Sequence, residues 1–275
     1  MFQVEQATKR FEKLKLPGLA LARLIVKNYE RDDFSLVIVS GNLRKGKSAY
    51  AIKCVEQAGK YLGTFKELNK RELCWYMGWE PNEVVALWQR NTKREPFFIW
   101  DDAGYWLHSM NWHDDLMIAI QQYFNVIGTD YNTVILTTPS PHWVLSKIAK
   151  FPEMVHVRIT KRTGGNPDSD YYKFARKARG YKRWTSPDLK RAGVNVLFDD
   201  QFSCKIPDHI YEWYYPMRRE YAQEAKQSIV ENLRRKTEKQ RLEDLKTMRN
   251  IRRYEKEIFG DSINSRIEAE VNNAK

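Results

Sequence analysis

The octet Gly41-Asn42-Leu43-Arg44-Lys45-Gly46-Lys47-Ser48 is a complete G-x-x-x-x-G-K-[ST] phosphate loop, and it follows directly on the apolar run Leu36-Val37-Ile38-Val39. That run reads as a buried strand and the amphipathic stretch from Lys47 to Tyr61 as a helix, so the motif has the strand-loop-helix setting its chemistry requires. The two glycines let the backbone curl so that its N–H groups and the helix N-terminus point at negative charge. Lys47 is placed to reach the β/γ-phosphates of a nucleotide and the Ser48 hydroxyl to reach Mg²⁺. Gly41, Asn42, Leu43, Arg44, Lys45, Gly46, Lys47, Ser48 and Ala49 therefore form the expected nucleotide-binding segment, with Lys47 also catalytic.

A second motif follows. Phe97-Phe98-Ile99-Trp100-Asp101-Asp102 is an apolar strand ending in two carboxylates, as a Walker B element does. Asp101 is read, with Ser48, as a holder of the metal. Asp102 is read as the base that orients the attacking water, because phosphoryl transfer needs positioning and charge stabilisation more than covalent chemistry. Paired aspartates after a strand also serve as caps or turns, but beside a phosphate loop the chemical role is the stronger reading.

The remaining pattern alternates strands with helices. Residues 1–33 read as a helical lead-in with a break at Pro17-Gly18. Strands are expected at Phe34 to Ser40, Leu73 to Tyr76, Phe97 to Trp100, Thr133 to Thr138 and Met154 to Thr160. Helices are expected from Pro81 towards Gln89, over about Asp114 to Asn125 and over Pro141 to Lys150. Such alternation predicts an α/β fold, a parallel sheet with helices on both faces. The core is expected to span residues 34–163, followed by a basic aromatic hairpin and linker over 164–215 and a long charged helical tail over 216–275.

Strand, loop and paired carboxylates together resemble the additional-strand, catalytic-acid division of P-loop NTPases, which includes the AAA+, RecA and FtsK/HerA groups. In that division a polar residue at the tip of the strand after Walker B senses the γ-phosphate, and Thr137 or Thr138 occupies the matching place; Thr138 is taken as the sensor. The usual catalytic acid there is Glu, and Asp102 is one carbon shorter. Ile99-Trp100-Asp101-Asp102-Ala103-Gly104 resembles the D-D-[LA]-G segment of DnaA-like and helicase-loader ATPases. Val134 to Pro141, running into Val155 to Arg162, is similar to Zot-like and FtsK/HerA-like motors. Residues 34–162 as a whole resemble the P-loop ATPases of crenarchaeal viruses and plasmids, which implies an ATP- and Mg²⁺-dependent protein of a mobile genetic element that forms homo-oligomers when ATP-bound.

Charge narrows the choice of partner. The net +12 is concentrated in residues 142–191, where 13 cations face 4 acids. Within it, Tyr171 to Trp184 interleaves six cations with five aromatics. Lys173, Arg176, Lys177, Arg179, Lys182 and Arg183 are the candidate DNA-binding residues, since cations neutralise phosphates while aromatic faces accept stacked bases. The same residues also suit an amphipathic strand whose aromatics pack inward and whose cations are merely solvated. No base-reading motif is present, so contact is expected to be backbone-led.

Other classes are disfavoured. No apolar run approaches the ~18 residues of a membrane span. Cys54, Cys74 and Cys204 lack C-x-x-C spacing, and the five histidines lack H-E-x-x-H spacing, which argues against a zinc site or disulfides and for a cytoplasmic protein. The long tail could dock a partner helix or be simply solvated. The expected function is ATP hydrolysis coupled to DNA, in replication initiation and helicase loading or in translocation. The alternatives are an ATP-dependent assembly switch on DNA with little hydrolysis, and, less favoured, a small-molecule kinase.

Overall fold

A computed structural model describes residues 16–111, 113–152, 154–162, 173–185 and 192–259. Residues 1–15 of the expected helical lead-in and residues 164–172, at the start of the expected hairpin, lie outside them. After α1 (Ala20–Arg31) the chain enters β1 (Ser35–Ser40), crosses the phosphate loop and continues into α2 (Lys47–Leu62). Then come α3 (Lys70–Tyr76), β2 (Met77–Gly78), α4 (Pro81–Gln89), β3 (Phe98–Trp100), α5 (Ala103–Trp106), α6 (Asp115–Tyr123), β4 (Thr133–Thr138), α7 (Ser146–Ala149) and β5 (Val155–Lys161). Two long strands, β6 (Ala175–Thr185) and β7 (Ala192–Ser203), precede α8 (Asp208–Phe259).

The strands form one seven-stranded sheet in the order β2-β3-β4-β1-β5-β6-β7. The first five are parallel, and β6 and β7 extend the sheet antiparallel. The fold is thus mixed α/β with helices on both faces, as the alternation implied. Parallel strands are covered on both sides, which is why β1 and β4 read as continuous apolar runs. Leu36 and Ile38 of β1, Phe98 and Trp100 of β3, and Val134 and Leu136 of β4 pack under α4, α5, α6 and α7. On the opposite side α1 and α2 pack on each other, with Leu21, Ile25, Ile52 and Val55 fully buried.

By contacts the chain divides into two units, residues 1–211 and 212–275. The second consists, where described, of the continuation of α8, a helix with Ile229, Leu233, Leu242 and Leu245 exposed along it.

Three expectations are corrected. Leu73 to Tyr76, expected as a strand, lies in α3: Asn69 caps the helix by accepting from the Glu72 N–H (3.0 Å), and the strand is displaced to Met77–Gly78. The helix expected over Pro141 to Lys150 is broken into a 3₁₀ turn at Pro141–Trp143 and the short α7. Tertiary pairing overrides local propensity there, because the Leu145 N–H donates to the Leu107 carbonyl (2.8 Å) and Val144 bridges His108. Residues 192–203, expected within a linker, form the edge strand β7, whose Val194, Asn195 and Val196 alternate along the pleat.

Candidate functional site

The phosphate loop owes its shape to backbone that only glycine tolerates well. Gly41 has φ of +148° and Gly46 +86°. Each is also crowded by a neighbouring segment: a Cβ on Gly41 would lie 2.6 Å from the Ile159 carbonyl oxygen of β5, and one on Gly46 2.4 Å from the Cys204 Cβ, just past β7 of the antiparallel extension. Arg44 adopts the left-handed region too, at φ +59°. Lys47 folds beneath the loop and donates from Nζ to the carbonyl oxygens of Gly41 (3.0 Å) and Asn42 (3.3 Å). An ammonium with 5% exposure needs such acceptors, so the loop and its lysine brace one another.

Strand pairing brings the second motif alongside. Because β4 lies between β1 and β3, the ends of all three strands meet at one edge of the sheet. Asp101 is fully buried there. Its Oδ1 accepts from the Ser48 hydroxyl (2.7 Å) and from the Thr137 hydroxyl (2.6 Å), and its Oδ2 from the Trp79 indole N–H (3.3 Å). Thr137 also accepts from the Asp102 backbone N–H (2.8 Å). Asp102 is half-buried with a left-handed backbone (φ 50°, ψ 31°), a non-glycine outlier of the kind that gathers at functional sites.

Among the described residues no group of three or more His, Cys, Asp or Glu side chains could hold a metal alone. One hydroxyl and one carboxylate, converging 2.7 Å apart beside a phosphate loop, fit Mg²⁺, which keeps water and substrate phosphates as most of its ligands.

The site places its expected residues unequally. Lys47, Ser48 and Asp101 come together with the loop, and Asp102 adjoins them in sequence. The Thr138 hydroxyl instead donates to the Ser140 carbonyl (2.8 Å) and accepts from the Ser140 N–H (3.3 Å), whereas its neighbour Thr137 engages both aspartates. Trp79 is a further participant, and nothing local in the sequence marks it.

The six candidate DNA-binding cations are split by the pleat. Lys177, Arg179 and Arg183 share one side of β6. Arg176 and Lys182 take the other, where Arg176 is buried (9% exposed) and donates from Nη1 to the carbonyls of Lys173 and Ala175 (both 2.9 Å). Lys173 precedes the strand. Asp199 of β7 pairs with Arg179 through two contacts of 2.7 Å and with Lys177 at 3.2 Å; chiefly through the Arg179 hydrogen bonds, its carboxyl is held down at about 2. Sequence reasoning passed over His156 of β5, whose Nε2 lies 2.6 Å from Oγ of Ser40, the last residue before the loop. Burial, helped by Arg158 and His142, lowers its pKa below the ordinary histidine value.

No protein-family profile matches the chain. An uncharacterized protein, B-251, of Sulfolobus spindle-shape virus 1 is 24% identical over 225 residues, covering 78% of this chain and 86% of that protein. Among solved structures, a KaiC-like protein from the hyperthermophilic archaeon Pyrococcus horikoshii OT3 is 13% identical with a TM-score of 0.32, covering 60% of this chain and 89% of that one. No helix among the described residues is long and apolar enough to cross a membrane.

Proposed function

We propose that this chain is an Mg²⁺-dependent P-loop ATPase of a virus or related mobile genetic element, whose hydrolysis cycle is coupled to DNA in replication initiation and helicase loading or in translocation. The observation that carries the reading is the convergence of Ser48 and Thr137 on the buried Asp101, beside a loop whose glycines and lysine are set for a phosphate chain. The likeness to a spindle-shaped virus protein supports the mobile-element context. The place of β4 between the phosphate-loop strand and the Walker B strand supports the additional-strand, catalytic-acid reading.

Ser48 and Asp101 would hold Mg²⁺, which supplies charge neutralisation on the β/γ-phosphate oxygens. Lys47, presented by the carbonyls of Gly41 and Asn42, shares that task, and the loop N–H groups orient the phosphates. Asp102 orients and polarises the attacking water. Thr137 fixes the end of β3 by holding the Asp101 carboxylate and the Asp102 N–H at once. Thr138 is the proposed γ-phosphate sensor, a role its hydroxyl performs by exchanging its bond to Ser140 for one to phosphate. Homo-oligomers are proposed for the ATP-bound state, and the exposed Leu233, Leu242 and Leu245 of α8 support a helical protein partner.

The test is the steady-state ATPase rate of the wild type and Lys47→Ala, with and without single- and double-stranded DNA at two salt concentrations. Turnover that DNA stimulates and Lys47→Ala abolishes is the expected result. Tight ATP binding and salt-sensitive DNA binding without turnover would replace the motor by the assembly switch.

A further inference from the structure

The side of the sheet that carries Leu36 and Ile38 is roofed by apolar helices from β3 to β1. Strand pairing carries that side onward, since residues directly opposed across a pair share a face. Ile38 lies level with His156, His156 with Tyr181, and Tyr181 with Val196. One step along, Ser40 lies level with Arg158, Arg158 with Arg179, and Arg179 with Asp199. The opposite side of these strands holds Val157, Ile159, Ala178 and Phe202, all buried. Among the described residues the side that carries His156 and Arg158 is open: Arg158, Arg183, Val194 and Val196 are exposed.

Its charge is one-sided. Among the described residues Arg158, Lys177, Arg179 and Arg183 face a single acid, Asp199, which occupies Arg179 and Lys177. Neither Arg158 nor Arg183 has an ion-pair partner among the described residues. Two adjoining hollows share Arg158 and Tyr181. The larger, about 440 Å³, is lined by Met154, His156, Arg158, Tyr181, Arg183 and Val194. The smaller, about 170 Å³, lies towards Thr160, Lys177 and Arg179.

We propose that this face binds a single-stranded polynucleotide along β6, with an unpaired base in the larger hollow stacked on Tyr181 and phosphates on Arg158 and Arg183. This rests on the DNA-coupled reading above and gives it a strandedness and a surface. Alternate residues of a strand recur roughly every 6.8 Å, so Lys177, Arg179, Tyr181 and Arg183 make a row that tracks a backbone. A hollow walled by Met154, Val194 and a tyrosine ring suits a base face, which a duplex keeps inside its stack. The seat also adjoins the ATPase site: His156 bonds Ser40, and the Ile159 carbonyl rests against Gly41. Asp199 is the built-in competitor, holding two cations that phosphates would otherwise take.

The experiment is fluorescence anisotropy on the full chain with an oligo-dT, the same chain made abasic, and a duplex, across a salt series, with ATP affinity measured separately on each variant. Wild type is expected to favour oligo-dT over both other probes. Tyr181→Ala should lose about tenfold on oligo-dT and little on the abasic chain, while Tyr181→Phe retains binding. Arg183→Ala should lower the log–log salt slope by about 0.7, and Asp199→Asn should raise both slope and affinity as Arg179 and Lys177 are released. Oligo-dT binding untouched by Tyr181→Ala and Arg183→Ala would overturn the platform and leave the DNA-coupled reading standing. No binding of any polynucleotide, with ATP affinity intact, would overturn both.

Discussion

Gly46→Ala tests whether the antiparallel extension and the phosphate loop are one mechanical unit. Gly46 sits at φ +86°, where an L-residue costs about 1–2 kcal/mol. The added methyl would also lie 2.4 Å from Cys204 Cβ, roughly an ångström inside ordinary contact, and neither partner is the tip of a flexible side chain. Forcing atoms into packed space costs about 1–3 kcal/mol more, so the total is about 2–5 kcal/mol. Urea unfolding of the wild type, Gly46→Ala, Cys204→Gly and the double variant separates the two contributions. Removing the Cys204 side chain deletes the clash but not the backbone strain, so Gly46→Ala should cost about 1–3 kcal/mol less in the Cys204→Gly background. ATP affinity should fall with stability in Gly46→Ala and recover in part in the double variant. Equal costs in both backgrounds would refute the reasoning, since the loop would then move without engaging the end of β7.

Two further outcomes are expected. Tyr50→Phe should lose about 1.5–3 kcal/mol of unfolding free energy, because its buried hydroxyl donates to Oδ2 of Asp200 (2.6 Å), the same oxygen that accepts the Ala20 N–H (2.8 Å) and so ties α1, α2 and β7 together. His156 should make stability fall on acidification. Burial, then Arg158 and His142, hold its folded pKa below the unfolded value near 6.5, so the native state binds fewer protons, and stability complete above pH ~6.5 is lost as the pH drops towards the folded pKa, by at most about 1.4 kcal/mol per unit. Unfolding free energies of the wild type and His156→Gln between pH 7.5 and 5.5 check this: the variant should be flatter, and parallel curves would exclude His156 as the source.

Local signals carried most of the core into the sequence. β1 and β4 are apolar runs of strand length and β5 alternates apolar with polar residues, α2 and α4 announce themselves by a phosphate loop and by Pro81 at a helix start, and Asp114 caps α6 by accepting from the Leu116 and Met117 N–H groups. Failures came where a cap or a pairing strand outside the segment itself decides. Leu73 to Tyr76 is apolar enough for a strand, yet Asn69 and Glu72 close a helix around it. Residues 192–203 are legible as a strand only once β6 offers an edge to pair with.

The site divides along the same line. Lys47, Ser48 and Asp101 are motif residues whose spacing is enough to expect them together, and the structure brings them side by side. Thr137 over Thr138 is a matter of strand phase: β4 ends with two threonines pointing to opposite sides, and only the register with β1 and β3 decides which meets Asp101. The same phase sorts the basic strand. Six cations that look equivalent in a list of residues become a row of three beside Tyr181, a separate pair on the packed side, one member of it buried, and Lys173 ahead of the strand. An alternating basic strand one place in from the sheet edge can therefore present a charged platform on one side while its other side packs inward, and β5 alone separates it from the phosphate loop's own strand. Phosphates bound on the outer side would pull on the strand whose Ile159 carbonyl abuts Gly41, so the proposed nucleotide and polynucleotide sites would share a single sheet rather than communicate through a hinge.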